Sequence, residues 1–174
     1  MNIVEASGGT RGQRELAEEV AYFCIGELMP RLRTLDIEID IKKCWEDNAE
    51  AFCYPTENGV NDACRDFYIE IDHRIYKPYS KGISKKIQKE RYECFVTGVC
   101  HEMVHVWQWA TKLISDRIQP KEIGYRQRWK GVDIPEDTPY SKLPWERQAY
   151  RMQEVLFEKY KKVKKALDKS NYKC

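Results

Sequence analysis

Between Ile83 and Ser115 the chain carries apolar residues at helical spacing, and two of its three histidines stand inside that stretch. Ile83, Ile87, Phe95, Val99, Met103, Val106 and Ala110 fall on one side of a helical repeat. The spacing predicts one helix from about 83 to about 115, capped by Ser80 or Ser84. A helix with so sustained an apolar side is buried over much of its length. Its interior holds His101-Glu102-Met103-Val104-His105, an H-E-x-x-H run, in a place where unpaired polar groups are costly. Four positions apart, the two imidazoles stack on one helix face. Each can give a nitrogen to one metal ion such as Zn²⁺. Glu102 is turned away from His101 by roughly a quarter turn. It is poorly placed to share the ion, but it can reach a water beside it and act as a general base.

The flanking patterns predict the rest of the fold. Residues 1–10 end in Gly, Ser and Thr and read as a loose start. Leu16, Val20, Phe23, Cys24 and Leu28 predict an amphipathic helix over 11–29, ended by Pro30. Residues 35–41 and 67–72 alternate apolar and polar, which predicts two half-buried strands. A shorter strand is expected near 51–54, followed by a turn at 57–59. Their short connections predict a small antiparallel sheet. Residues 116–143 contain Pro120, Gly124, Gly131, Pro135 and Pro139 and read as a long irregular connection, a kind of segment that is often functional. After Pro144 a last helix is expected to about Lys169. The expectation is one α+β domain over 1–174: a small sheet packed with an N-terminal helix, the H-E-x-x-H helix and a C-terminal helix.

Bulk properties set limits. The formal net charge is +2, too small to demand a polyanionic partner. No run approaches the ~18 apolar residues of a membrane span. The first residues lack the basic start and apolar core of a secretory signal. Seven cysteines with no C-x-x-C pair argue against a zinc ribbon or a thioredoxin-type site. Their odd number and the absent signal point to reduced thiols in a cytoplasmic setting. Cys24, Cys94 and Cys100 read as small core residues. Cys44, Cys53 and Cys64 cluster in sequence, and a disulfide or second metal site among them is the less favoured reading.

A catalytic zinc usually has three protein ligands, so the motif needs one more. The metzincin extension would place a histidine at 111, where the chain has Thr111. His73, the remaining histidine, falls at a strand end. Glu146 is the better candidate. It follows Pro144-Trp145 in the first turn of the last helix, and a helix-borne carboxylate downstream of H-E-x-x-H completes a His₂Glu set. Glu122, Glu154 and Asp116 are weaker alternatives without that context.

Residues 101–108, H-E-M-V-H-V-W-Q, together with 143–150, L-P-W-E-R-Q-A-Y, resemble gluzincin-type zinc metallopeptidases, especially the small single-domain minigluzincins and related peptidase-like proteins. The resemblance implies a zinc-dependent endopeptidase with one Zn²⁺ per chain. His101, His105 and Glu146 would hold the metal and Glu102 would be the base. A second resemblance is to SprT-like proteases, some of which act on protein attached to DNA. These carry a downstream Gly-His segment, and here Gly124 is followed by Tyr125.

On this reading a polypeptide is cut by a metal-activated water, with Glu102 accepting its proton and passing it to the leaving amine. An oxyanion donor is also expected. Tyr150, one turn after Glu146, is the first choice and Tyr125 the second. The strand at 67–72 is expected to offer its edge to an extended substrate. The alternative reading is a nucleic-acid-associated SprT-like protein, or an inactive metal-binding module. It would use the lysine-rich tail over about 155–174 for weak phosphate contact, although a solvated helix face is the simpler account of those lysines.

Overall fold

The computed structural model describes residues 1–43, 51–56, 63–75, 82–118 and 125–171. Ile3–Gly8 forms strand β1 and Arg11–Leu28 helix α1. Asp36–Lys42, Ala51–Pro55 and Asp66–Asp72 form β2, β3 and β4. Lys85–Ala110 is the long helix α2. Ile114–Ile118, Tyr125–Trp129 and Val132–Asp133 form β5, β6 and β7. Pro144–Asn171 is the last helix, α3, preceded by a 3-10 turn at Tyr140–Lys142. The fold is α+β, as the sequence patterns predict. No helix among the described residues is long and apolar enough to cross a membrane.

The main sheet has the order β1-β2-β4-β3, and it corrects the expected antiparallel arrangement. β1, β2 and β4 run parallel, and only β3 runs against its neighbour β4. Alternation usually marks antiparallel sheets with one wet face, because parallel sheets are generally covered on both sides. Here a parallel core keeps one wet face. Val4, Ile37 and Phe67 stand in register, as do Ala6, Ile39 and Ile69, and this face packs under the helices. Asp40, Lys42, Tyr68 and Glu70 join in hydrogen bonds and ion pairs on the other face. The crossover that parallel pairing requires is α1, between β1 and β2.

β1 itself was not expected. Its short I-V-E-A-S-G run has only Val4 as a large buried residue, too weak a signal for a strand. Gly8 ends it with φ +67, and a Cβ there would meet the Ile41 carbonyl oxygen at 2.4 Å. Only glycine fits so close a backbone approach in the left-handed region. The chain then enters α1 through a capping box, with the Thr10 hydroxyl accepting from the Gln13 N–H and the Gln13 side chain accepting from the Thr10 N–H.

Residues 116–118 and 125–143 hold more regular structure than the expected irregular connection. β5, β6 and β7 make a second, three-stranded antiparallel sheet. The turn between β6 and β7 has Lys130 at φ 50 and Gly131 at φ 82, the signature of a two-residue type I′ hairpin. Charged residues at alternate positions of Y-R-Q-R-W hide the apolar alternation on which a strand is usually recognised.

α2 starts at Ser84, whose hydroxyl accepts from the Ile87 N–H at 3.3 Å. It stops at Ala110 rather than 115, because the chain turns back through Lys112 at φ 60. Every residue from Val99 to Val106 is buried, which makes this segment the centre of the molecule. α1 presents Leu16, Ala17, Val20, Ala21, Cys24 and Ile25 to the core. α3 opens with Pro144, whose missing N–H costs nothing at a helix start. Its Trp145, Ala149, Leu156 and Tyr160 are buried, and the Tyr160 hydroxyl donates to Glu19 of α1 at 2.8 Å.

Candidate metal centre

Two helices bring the three expected ligands together. α2 supplies His101 and His105 one turn apart, and the first turn of α3 supplies Glu146. Their ligand atoms all lie within 4.8 Å of one another, and all three residues are buried. The two histidine Nε2 atoms are 3.1 Å apart. Glu146 Oε2 stands 3.3 Å from His101 Nε2, and Oε1 stands 3.5 Å from His105 Nε2. This group can hold a metal ion.

The outer side of each ring argues for that role. Gln108 Nε2 donates to the Trp145 carbonyl and to Gln148 Oε1, both at 3.0 Å. Its Oε1 therefore faces His105 Nδ1, 2.8 Å away, and must accept from it. Flipping the amide would set two oxygens against each other at Trp145. Gln153 Oε1 stands 2.7 Å from His101 Nδ1 in the same way. With both Nδ1 atoms donating outward, both Nε2 lone pairs turn inward toward a carboxylate. Only a cation, metal or proton, reconciles three acceptors at such separations. Burial pushes Glu146 up, but hydrogen bonds with His101 and His105 outweigh it and hold the carboxylate well below its ordinary range. Burial lowers His105, yet Glu146 and Glu102 more than offset that, and the net direction is upward.

Glu102 points beside the group. It is 5% exposed and accepts no hydrogen bond among the described residues. Burial raises it above the ordinary carboxylate value, with the histidines pulling the other way. Such an environment suits a proton acceptor working near neutrality. Tyr150 packs its ring edge-on against His101, centroids 4.8 Å apart, and its side chain borders the cleft. Tyr140, in the 3-10 turn, was not singled out from sequence. Its hydroxyl donates to Glu146 Oε2 at 2.6 Å, and burial with that bond keeps it a phenol.

The weaker ligand candidates separate from the group. His73 lies in the turn after β4, near Asp72. Glu154 is exposed on α3, and Asp116 borders the cleft without joining the cluster. Glu122, Gly124, Cys44, Cys174 and the turn at 57–59 lie outside the described residues, as does the side chain of Tyr125. Cys24, Cys53, Cys64 and Cys100 form no disulfide among the described residues. Cys94 is exposed and not a core residue, because it faces the open cleft rather than the sheet. Gln108 and Gln153 did leave a trace in the sequence. Gln108 follows His105 by three residues, and Gln153 follows Glu146 by seven, both same-face spacings on a helix.

The site opens into a cleft of about 1100 Å³. One face of α2 lines it from Glu90 through His101 and His105 to Trp109, and all five residues of β3 form the facing wall. β3, not β4, is therefore the strand whose outer edge borders the site, since β4 is enclosed between β2 and β3. The lysine-rich half of α3 is partly neutralised: Lys159 pairs with Glu27, Lys161 with Glu158 and Lys164 with Glu19. Comparison with protein-family models, curated proteins and solved structures finds no match to this chain.

Proposed function

We propose that the chain is a zinc-dependent endopeptidase of gluzincin type. The observation that carries this reading is the convergence of His101, His105 and Glu146 at the floor of an open cleft, beside a Glu102 that has no partner among the described residues. The separations of 3.1, 3.3 and 3.5 Å between ligand atoms lie close to the ~3.3 Å edge of a tetrahedron with ~2.05 Å bonds, the geometry zinc prefers. When bound, zinc supplies a Lewis acid that acidifies water and polarises a carbonyl.

The chain's own groups account for the rest. Glu102 accepts the proton of the attacking water and hands it to the amine that leaves. Tyr150, beside His101 at the cleft wall, is the proposed donor to the developing oxyanion. Gln108 and Gln153 hold the imidazoles in one tautomer and orientation. Among the described residues nothing pairs with the outer edge of β3 on the cleft, which suits an extended polypeptide added as a further strand. From Glu90 to Trp109 the lining face of α2 is roughly 28 Å long at ~1.5 Å per residue. That accommodates about eight extended residues at ~3.3 Å each, which favours cutting within a chain over trimming its end. The ion pairs along α3 favour a solvated helix face over a nucleic-acid contact.

Metal analysis of the purified protein is expected to give one zinc per chain, lost in the His101→Ala/His105→Ala double variant and weakened in Glu146→Ala. Cleavage of unfolded proteins is expected to stop in Glu102→Ala while zinc stays bound. Zinc-loaded wild-type protein that leaves every unfolded polypeptide intact would sink the peptidase reading.

A further inference from the structure

The cleft has a charge pattern unlike the chain as a whole. Lys and Arg outnumber Asp and Glu by 30 to 28 over the full sequence. The cleft is lined by Glu90, Glu93, Glu102, Asp116 and Glu146, and among the described residues no lysine or arginine lines it. A divalent ion at the triad offsets only two of these charges. Strand alternation helps to sort them. Asp116 on β5 pairs in register with Gln127 on β6, and both border the cleft. Arg126 and Arg128 occupy the alternate positions of β6 and face away, with Arg128 bridged to Asp133 at 3.0 Å.

Glu146 is held by Tyr140 and the two histidines, but the other carboxylates are poorly satisfied from within. Asp116 has no hydrogen-bond or ion-pair partner among the described residues, and burial alone pushes it up. Glu102, 5% exposed, is likewise unpartnered and aimed into the cleft. Glu90 and Glu93 meet Lys86 and Lys89 only at 3.9 Å, with both lysines and Glu90 largely exposed and Glu93 half-buried. A concave wall of one sign focuses its field on whatever enters.

We propose that this cleft selects cationic polypeptides, with Asp116 on one side of the metal triad and Glu90 and Glu93 on the other receiving lysine or arginine side chains. The proposal rests on the peptidase reading for the word substrate, but not for the charge preference. Glu93 precedes His101 by eight positions, roughly 12 Å along α2. A basic residue three or four places from the bond to be cut reaches it, at ~3.3 Å per extended residue. The same field repels the phosphate backbone of a nucleic acid.

The test uses the zinc-loaded Glu102→Gln full chain and two fluorescent unstructured peptides of one sequence, one with free lysines and one with those lysines acetylated. Partly exposed ion pairs contribute roughly two- to five-fold each, so the free-lysine peptide is expected to bind about tenfold more tightly in anisotropy titrations. The gap should narrow as salt rises from about 50 to about 500 mM. Adding Asp116→Asn and Glu93→Gln should remove most of it. Equal binding of the two peptides, no measurable binding of the free-lysine peptide, a preference unchanged by Asp116→Asn/Glu93→Gln, or displacement of the peptide by a single-stranded DNA oligonucleotide would each overturn the proposal. If the free-lysine peptide binds preferentially but wild-type protein leaves it uncut, the peptidase reading falls and the charge preference stands.

Discussion

Replacing Gln108 by Met removes the group that ties the metal ligands to the rest of the core while keeping an unbranched side chain of similar length. Gln108 is fully buried and links His105 Nδ1, the Trp145 carbonyl and Gln148. The substitution leaves the His105 N–H without a partner in the interior and strips the Trp145 carbonyl of its side-chain bond, leaving it only the helical one. The unpaired N–H costs about 1–3 kcal/mol and the lost bond about 1 kcal/mol, for a net loss of about 3 kcal/mol. In a chain of this size that lowers Tm by roughly 6–12 °C. The second effect is on the ion. An imidazole without its outer acceptor is a weaker and less well-oriented ligand, and such losses reduce metal affinity about 10- to 100-fold. Thermal unfolding in chelator should give the first number. Titration against a chromophoric zinc competitor should give the second. Gln148→Ala is the control, because it touches Gln108 but leaves the His105 contact in place. Zinc affinity within threefold of wild type in Gln108→Met would refute the idea that the glutamine sets the ligand.

Metal affinity should fall as pH drops, because in the metal-free protein His105 is raised above its ordinary value beside Glu146 and a proton then competes for the same lone pair. The stability of the metal-free protein should slope the other way: the raised histidine contributes fully below ~6.5 and that contribution disappears as pH rises through its folded value, so parallel slopes for affinity and stability would contradict the assignment. Tyr150→Phe should lower kcat by about 10²-fold with zinc retained, whereas Tyr140→Phe should chiefly loosen zinc; the reverse pattern in steady-state kinetics and zinc titration would exchange their roles. Gly8→Ala should destabilise the fold by about 1–3 kcal/mol through positive φ and the clash with the Ile41 carbonyl, and an unchanged denaturation midpoint would show that β1 can shift.

What the sequence made readable was local. Ser84, one of the two caps expected, and Pro144 mark helix starts within one turn, and the His101–His105 spacing is fixed by the helix itself. Glu146 was recognisable because Pro144-Trp145 announces the helix that carries it. Strand direction was not local. The alternation of 35–41 and 67–72 says which face is buried, not which way a neighbour runs, so it does not distinguish a parallel pair from an antiparallel one. β1 was too polar to register, although its partners Ile37 and Ile39 required a neighbour. Gln153 is traceable only through its seven-residue spacing from Glu146, whereas Tyr140 reaches the site from the 3-10 turn before α3, and no spacing along the chain encodes that placement.

An ion shared by His101, His105 and Glu146 joins two positions 45 residues apart and so behaves as a removable cross-link. Closing a loop of that length by a bond removes about 4 kcal/mol of unfolded-chain entropy. The enclosed segment contains the second sheet, β5 to β7, which among the described residues shares no strand pairing with the four-stranded one. Taking the ion away should therefore open the molecule unevenly. Amide exchange should quicken at 114–116 and 125–133, with the Ile37, Ile39 and Ile69 backbone keeping its protection.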